Sequence, residues 1–182
     1  MEQTAHILTV IVRKASQGDN AARGELYAQF SQKMFSICVR MTGNRSDAED
    51  ILQDSFLTAF DKLTQLRDYH MFEAWLRKIT VHECIRFAKK ALSKITLDEQ
   101  CTDIAADDLN WLQAINFEHV HYEIRNLPDG CREVFNLYVL EDYTHQQIAA
   151  ELNISVSTSK SQYHRARQLL KERLRKQFIQ YG

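Results

Sequence analysis

At 182 residues, with 45% hydrophobic and 10% aromatic side chains, five Gly and one Pro, the chain is neither collagen-like, disordered nor a disulfide scaffold, and has room for one domain or two small ones. Scarce Gly and Pro predict long helices, so a β-sandwich or barrel is not expected. The formal charge of −1 would argue against a nucleic-acid partner only if it were evenly spread, because phosphate binding runs on Lys and Arg.

It is not evenly spread. Residues 1–90 hold 13 basic and 11 acidic side chains, residues 91–129 hold 2 and 8, and residues 130–182 hold 8 and 5. Arg77–Lys90 carries five basic residues against Glu83, and Lys160–Lys176 carries seven against Glu172. Two basic helical stretches therefore flank an acidic middle.

Residues 1–20 read as an N-terminal extension. Glu2 stands where a secretory signal would be basic, and the apolar run Ile7–Val12 is too short for a signal core or a membrane span. A cytoplasmic protein with reduced thiols at Cys38, Cys84, Cys101 and Cys131, and no membrane partner, is expected. From Ala22 the residues Leu26, Phe30, Met34, Ile37 and Met41 recur at helical spacing, and Gly43-Asn44 ends that helix. Ser46 and Glu49 form a capping-box pattern for the next one. Its buried stripe is Ile51, Leu52, Phe56, Ala59, Phe60 and Leu63; its opposite face carries Asp50, Gln53, Asp54, Leu57 and Asp61, acidic around one apolar residue, which suits a partner helix. After a loop at Thr64–His70, a third helix runs from Phe72 to Leu92 with Phe72, Trp75, Leu76 and Ile79 inward. Helical spacing makes Phe72 and Trp75 core residues, although aromatic rings beside cations are also what single-stranded bases require.

Periodicity is lost over Ser93–Asp108, where Asp98, Glu99, Asp103, Asp107 and Asp108 collect; this is the expected linker. Trp111, Leu112, Ile115, Val120 and Ile124 restore helical spacing up to the stop at Leu127-Pro128-Asp129-Gly130. A helix over Gly130–Leu140 follows, with Val134, Leu137 and Tyr138 inward. Thr144 then opens a short helix holding Ile148, Ala149 and Leu152. Asn153-Ile154-Ser155 is a tight turn in which Asn tolerates the left-handed conformation. A long basic helix comes next, with Val156, Ser159, Tyr163, Ala166, Leu170 and Leu174 inward. Ser159 puts a hydroxyl on that stripe, where its side chain needs a partner such as the carbonyl four residues back. Helix, tight turn, helix is helix-turn-helix spacing, and the outward Ser157, Thr158, Lys160, Ser161, His164, Arg165 and Gln168 suit base edges and phosphates in a major groove.

Catalysis finds no support: there is no phosphate loop, nucleophile motif or paired metal-ligand sequence, so no enzyme, cofactor or metal is expected. His82-x-Cys84 and His119-x-His121 are at most half-sites.

The run Asp47-Ala48-Glu49-Asp50-Ile51-Leu52-Gln53-Asp54-Ser55-Phe56-Leu57, then Phe72-Glu73-Ala74-Trp75-Leu76-Arg77-Lys78-Ile79, Leu127-Pro128 through Glu133-Val134-Phe135, and Ile148-Ala149 with His164-Arg165-Ala166-Arg167 resembles the extracytoplasmic-function (ECF, group 4) sigma factors of bacterial RNA polymerase. The resemblance implies an all-α protein: a region 2 bundle over 21–92, an acidic linker over 93–120 and a region 4 helix-turn-helix over 121–178. It implies that Asp50, Gln53, Asp54 and Leu57 dock on the β′ clamp coiled coil of core polymerase. Tyr69, Phe72, Arg77, Lys78, His82, Arg86, Lys89 and Lys90 would open the −10 element and hold a flipped base. Ser157, Thr158, Lys160, Ser161, His164, Arg165 and Arg167 would read the −35 element, with the domain packed on the β flap. Capture of the exposed base and single strand would offset unstacking.

The chain departs from the family at four places. His82 and Arg86 replace the usual Asn and Asp of the −10 helix, and Ser159 and Gln162 replace Val and Arg in the recognition helix. The last two imply weak autonomous −35 binding, and Gln162 with the altered pair at 82 and 86 implies reliance on an activator or a DNA-targeting recruiter. A separate anti-sigma factor is also expected. Two other readings stay open at the level of sequence: a one-component helix-turn-helix regulator not bound to polymerase, and a sigma-like protein that binds polymerase or an anti-sigma without initiating.

Overall fold

The structure, a computed structural model, describes residues 2–92 and 117–180, with side chains over 6–90 and 119–175. The acidic run, Cys101, Trp111, Leu112 and Ile115 lie outside the described residues. Among the described residues the elements are helices α1 (Glu2–Ser16), α2 (Asn20–Thr42), α3 (Arg45–Lys62), α4 (Phe72–Leu92), α5 (Phe117–Arg125), α6 (Asp129–Val139), α7 (His145–Leu152) and α8 (Val156–Gln180), with 3-10 turns at Leu63–Gln65 and Tyr69–Met71. No helix is long and apolar enough to cross a membrane. The chain forms two compact units, built mainly from α1–α4 and from α5–α8.

The first unit corrects the reading of residues 1–20 as an extension. That segment forms α1, which buries Ile11, Val12 and Ala15 and packs on both 3-10 turns. The Ile7–Val12 run is amphipathic, with Ile7 and Val10 left exposed. Asp19 then caps α2, its carboxylate accepting from the Ala21 and Ala22 amides at 2.9 and 3.1 Å. All six predicted inward residues of α2 are buried. At the α2–α3 turn Gly43 has φ +72°, a conformation that side chains disfavour.

The cap of α3 is a second correction. Asn44, not Ser46, is the capping residue: its backbone is extended and its side chain accepts from Ser46 N at 2.8 Å. The helix thus starts one residue before Ser46, and Glu49 pairs with Arg45 at 3.0 Å instead of closing a box. In α4 the core residues are Phe72, Leu76, Thr80, Val81, Cys84, Ile85 and Ala88, whereas Trp75 and Ile79 are half-buried. Buried Ser55 and Thr80 satisfy their hydroxyls on the carbonyls four residues back, at 2.6 and 3.0 Å.

In the second unit, Ile124, Leu127, Cys131, Phe135, Ala166, Leu170 and Leu174 form one core, with Val120, Val139, Tyr163 and Leu169 packed against it. Thr144 and Gln147 make a reciprocal capping box at the start of α7, and Asn153 ends that helix at φ 57°, ψ 45°, as its residue type predicts. Ser155 caps α8 by accepting from Thr158 N at 2.9 Å. Two residues expected inward are not: Val156 and Tyr138 are each 38% exposed. Val156 is the first residue of α8, and Tyr138 uses its ring on a neighbour described below.

Candidate nucleic-acid interface

Three surfaces carry the residues singled out in the sequence. On α3, Asp50, Gln53, Asp54, Leu57 and Asp61 are all exposed. They follow i, i+3, i+4, i+7 and i+11, one row of a helix. Leu57 at 64% has the largest fractional exposure of any large hydrophobic side chain among the described residues. A bare leucine ringed by carboxylates is shaped for a helical partner with apolar and cationic groups.

The second surface joins the Tyr69–Met71 turn to the outer face of α4. Asp68 caps the turn by accepting from His70 N at 2.9 Å. The Tyr69 hydroxyl lies 3.4 Å from Ser16 Oγ, and His70 Nδ1 lies 3.3 Å from Thr9 Oγ1, so α1 braces the turn. Arg77, Lys78, His82, Arg86, Lys89 and Lys90 are exposed along α4. Phe72 is corrected: it is fully buried, packed on Phe30 at 5.4 Å and Trp75 at 6.2 Å, and cannot stack on a base without leaving the core. Among the described residues no three His, Cys, Asp or Glu side chains are grouped to hold a metal ion. Exposed His82 and buried Cys84 point to different faces of α4, as i, i+2 neighbours must.

The third surface is the helix-turn-helix. Ser157 and Lys160 are exposed, while Thr158, Ser161, His164, Arg165 and Arg167 are half-buried. Several of these groups already have partners. Ser155 Oγ lies 2.7 Å from Ser157 Oγ and 2.8 Å from Thr158 Oγ1, Ser161 donates to Thr158 O at 3.0 Å, and the Arg167 guanidinium sits over the Tyr163 ring at 5.8 Å. His164 turns its Nε2 to a buried position without a hydrogen-bond partner. Gln162 lies against the first turn of α6, where its Oε1 accepts from the Cys131 thiol at 2.9 Å.

Ser159 is fully buried, and the partner its hydroxyl needs is His145 Nδ1 at 2.9 Å, across the helix-turn-helix, and not a carbonyl of its own helix. The His145 ring stacks on Tyr138 with centroids 4.4 Å apart and planes 12° apart, and Tyr163 closes on both. Burial, then the charge of Lys160, lowers the His145 pKa below its ordinary 6.5. Burial also raises that of Tyr163. Sequence reading missed His145, yet the signal was there. The Thr144/Gln147 cap fixes residue 145 as the first of α7, and a hydroxyl on a buried stripe needs a polar group opposite.

An all-helical chain whose helix-turn-helix presents a basic, hydroxyl-bearing helix defines a DNA-binding protein of the transcription class. The chain belongs to the sigma-70 family: it matches the model of Sigma-70 region 2 over residues 26–93 and that of Sigma-70, region 4 over residues 118–170. It is similar to the ECF RNA polymerase sigma factor SigW of Bacillus subtilis, 27% identical with 90% of this chain and 95% of that one covered. It is also similar to the ECF RNA polymerase sigma-E factor of Haemophilus influenzae, 25% identical with 90% and 93% covered. Among solved structures it is similar to CnrH in complex with the cytosolic domain of CnrY, at 24% identity and TM-score 0.46 over 92% of this chain and 96% of that one.

Proposed function

We infer that the chain is an ECF-type sigma factor that binds core RNA polymerase, recognises promoter DNA and promotes its melting for transcription initiation. The observation that carries this reading is the match to regions 2 and 4 in order on one chain, on the helices that expose the acidic face of α3 and the basic faces of α4 and α8. Sigma factors are not enzymes, and melting requires none: unstacking costs a few kcal/mol per base, offset by capture of the exposed strand.

In this proposal Asp50, Gln53, Asp54 and Leu57 meet the β′ clamp coiled coil. Tyr69, Arg77, Lys78, His82, Arg86, Lys89 and Lys90 meet the −10 strand, and His70 joins them because it shares the turn. The outward row of α8 meets the −35 groove, and the domain rests on the β flap. A separate anti-sigma factor covering the Leu57 face would block the same docking. The neutral Gln162, turned onto Cys131, supports weak autonomous −35 binding and help from an activator or DNA-targeting recruiter.

Reconstitution tests the reading. The full chain is expected to co-elute with core polymerase and to yield defined transcripts from a promoter library, and Leu57→Arg is expected to abolish both while leaving the thermal transition in place. A chain that binds −35 duplex but never core polymerase would establish the one-component regulator instead.

A further inference from the structure

The docking face of α3 and the basic face of α4 are assigned to different partners, yet they share an ion pair. Arg86 reaches from α4 to Asp54 of α3, Nη2 to Oδ2 at 3.2 Å, and the same nitrogen lies 2.6 Å from Glu83 Oε2 on its own helix. Glu83 is largely buried on the α3 side, with Oε1 accepting from the Thr58 hydroxyl at 3.3 Å. Asp54 and Arg86 stand in solvent, their side chains 56% and 68% exposed. Glu83 is thus the buried anchor, Arg86 an exposed arm resting on it, and Asp54 the outer contact of that arm.

We propose that Arg86 is an internal competitor for the docking carboxylate Asp54, so that capture of Asp54 by a cationic side chain of core polymerase turns the guanidinium loose toward promoter DNA. This rests on the reading of α3 as the docking face. An exposed pair is weak, so a polymerase cation displaces Arg86 without any repacking: neither side chain belongs to the core, and Glu83 keeps its Thr58 contact. Before docking, the +1 charge of Arg86 is shared between two carboxylates and is a poor phosphate ligand. After docking Nη2 keeps only Glu83, and the rest of the guanidinium is open to a phosphate or base edge. By linkage the coupling works both ways: whatever factor docking adds to strand binding, strand binding adds to docking.

The test is core polymerase affinity of the fluorescently labelled full chain, measured by anisotropy without DNA at low and high salt. Arg86→Gln removes the charge and leaves a shorter polar side chain that cannot hold Asp54 as an ion pair, and is expected to tighten core binding about 2- to 5-fold at low salt, the range an exposed ion pair supports. That gain should shrink in high salt. Arg86→Lys, still able to reach Asp54, should stay near the parent value. Asp54→Asn is expected to weaken binding, and Arg86→Gln added to Asp54→Asn should change nothing further. If Asp54→Asn weakens binding while Arg86→Gln leaves it unchanged or also weakens it, Arg86 does not compete and the proposal is overturned. If Asp54→Asn has no effect, the docking role of Asp54 fails instead, and the competition with it. Both residues are exposed, and unchanged thermal transitions of the variants verify that only the contact was altered.

Discussion

Ser159→Ala is the sharpest perturbation that the fold offers, because it deletes one oxygen from a fully buried site and orphans one nitrogen of His145, 2.9 Å away. A neutral hydrogen bond of this kind contributes about 0.5–1.5 kcal/mol net, and His145 is half-exposed, so water partly replaces the lost partner and the expected cost is about 1 kcal/mol. His145→Ala removes the same bond and also the ring stacked on Tyr138 at 4.4 Å, a contact worth a further 0.5–1.5 kcal/mol or about that. The double variant should fall short of the sum of the two by about 1 kcal/mol, the coupling that a shared bond creates. Amide hydrogen exchange across α7 and α8 measures the opening free energy of this unit without requiring the whole chain to unfold in one step. A coupling below about 0.3 kcal/mol, the usual scatter of independent sites, would refute the pin. The same contact has a pH signature. Because the folded pKa of His145 is held below 6.5, the unfolded chain takes up a proton first; stability is full above 6.5 and is lost as pH falls below it, down to the lower folded value. Protection of α7 and α8 should therefore fall as pH drops below 6.5, and His145→Gln should flatten that fall.

Two other substitutions separate core from surface roles. Phe72→Ala should lower the stability of the first unit by about 3–5 kcal/mol, read as an earlier thermal transition; an unshifted transition combined with weaker binding of −10 single strand would restore Phe72 as a base platform. Asn153 sits at φ 57°, so Asn153→Ala should cost about 1–2 kcal/mol and weaken −35 duplex binding, while Asn153→Gly should stay near the parent in both. Equal losses in the two variants would mean that the Asn side chain matters, not the backbone conformation.

Helix periodicity made most of the fold legible. The α2 stripe from Ala22 to Met41, the limits of α4 and the left-handed Asn153 follow from spacing and residue type alone, because each depends on local backbone preferences. What stayed hidden depends on contacts between distant segments. That Ile7 and Val10 are exposed while Ile11 and Val12 are buried cannot be read until the 3-10 turns are known to lie beneath α1. Ser46 and Asn44 are both good caps, and only the extended backbone that follows Gly43 selects Asn44. A buried serine on α8 announces that it needs a partner but not which of two answers, its own carbonyl four residues back or a ring from another helix, will be used. Ser55 and Thr80 take the first answer and Ser159 the second. The difference is that His145 stands opposite Ser159, fixed there by the α7 cap.

The overall charge of −1 takes on a physical meaning once these partners are counted. In the free chain, Arg86 of the basic α4 face is occupied by Asp54 and Glu83, Thr158 and Ser161 of α8 by hydrogen bonds within the first turns of that helix, and Arg167 by the Tyr163 ring. If these residues meet DNA as proposed, each of these contacts is exchanged for a phosphate or base contact, and each exchange subtracts from the gain of DNA binding. Phosphate affinity depends steeply on the number of cations available, so holding Arg86 and Arg167 in these contacts would lower the affinity of the free chain for DNA. If polymerase docking undoes one of them and brings both basic helices to the same promoter, the second helix binds at a high effective concentration. Weak separate faces then act together only on the holoenzyme, which is the behaviour that a promoter-selecting subunit requires.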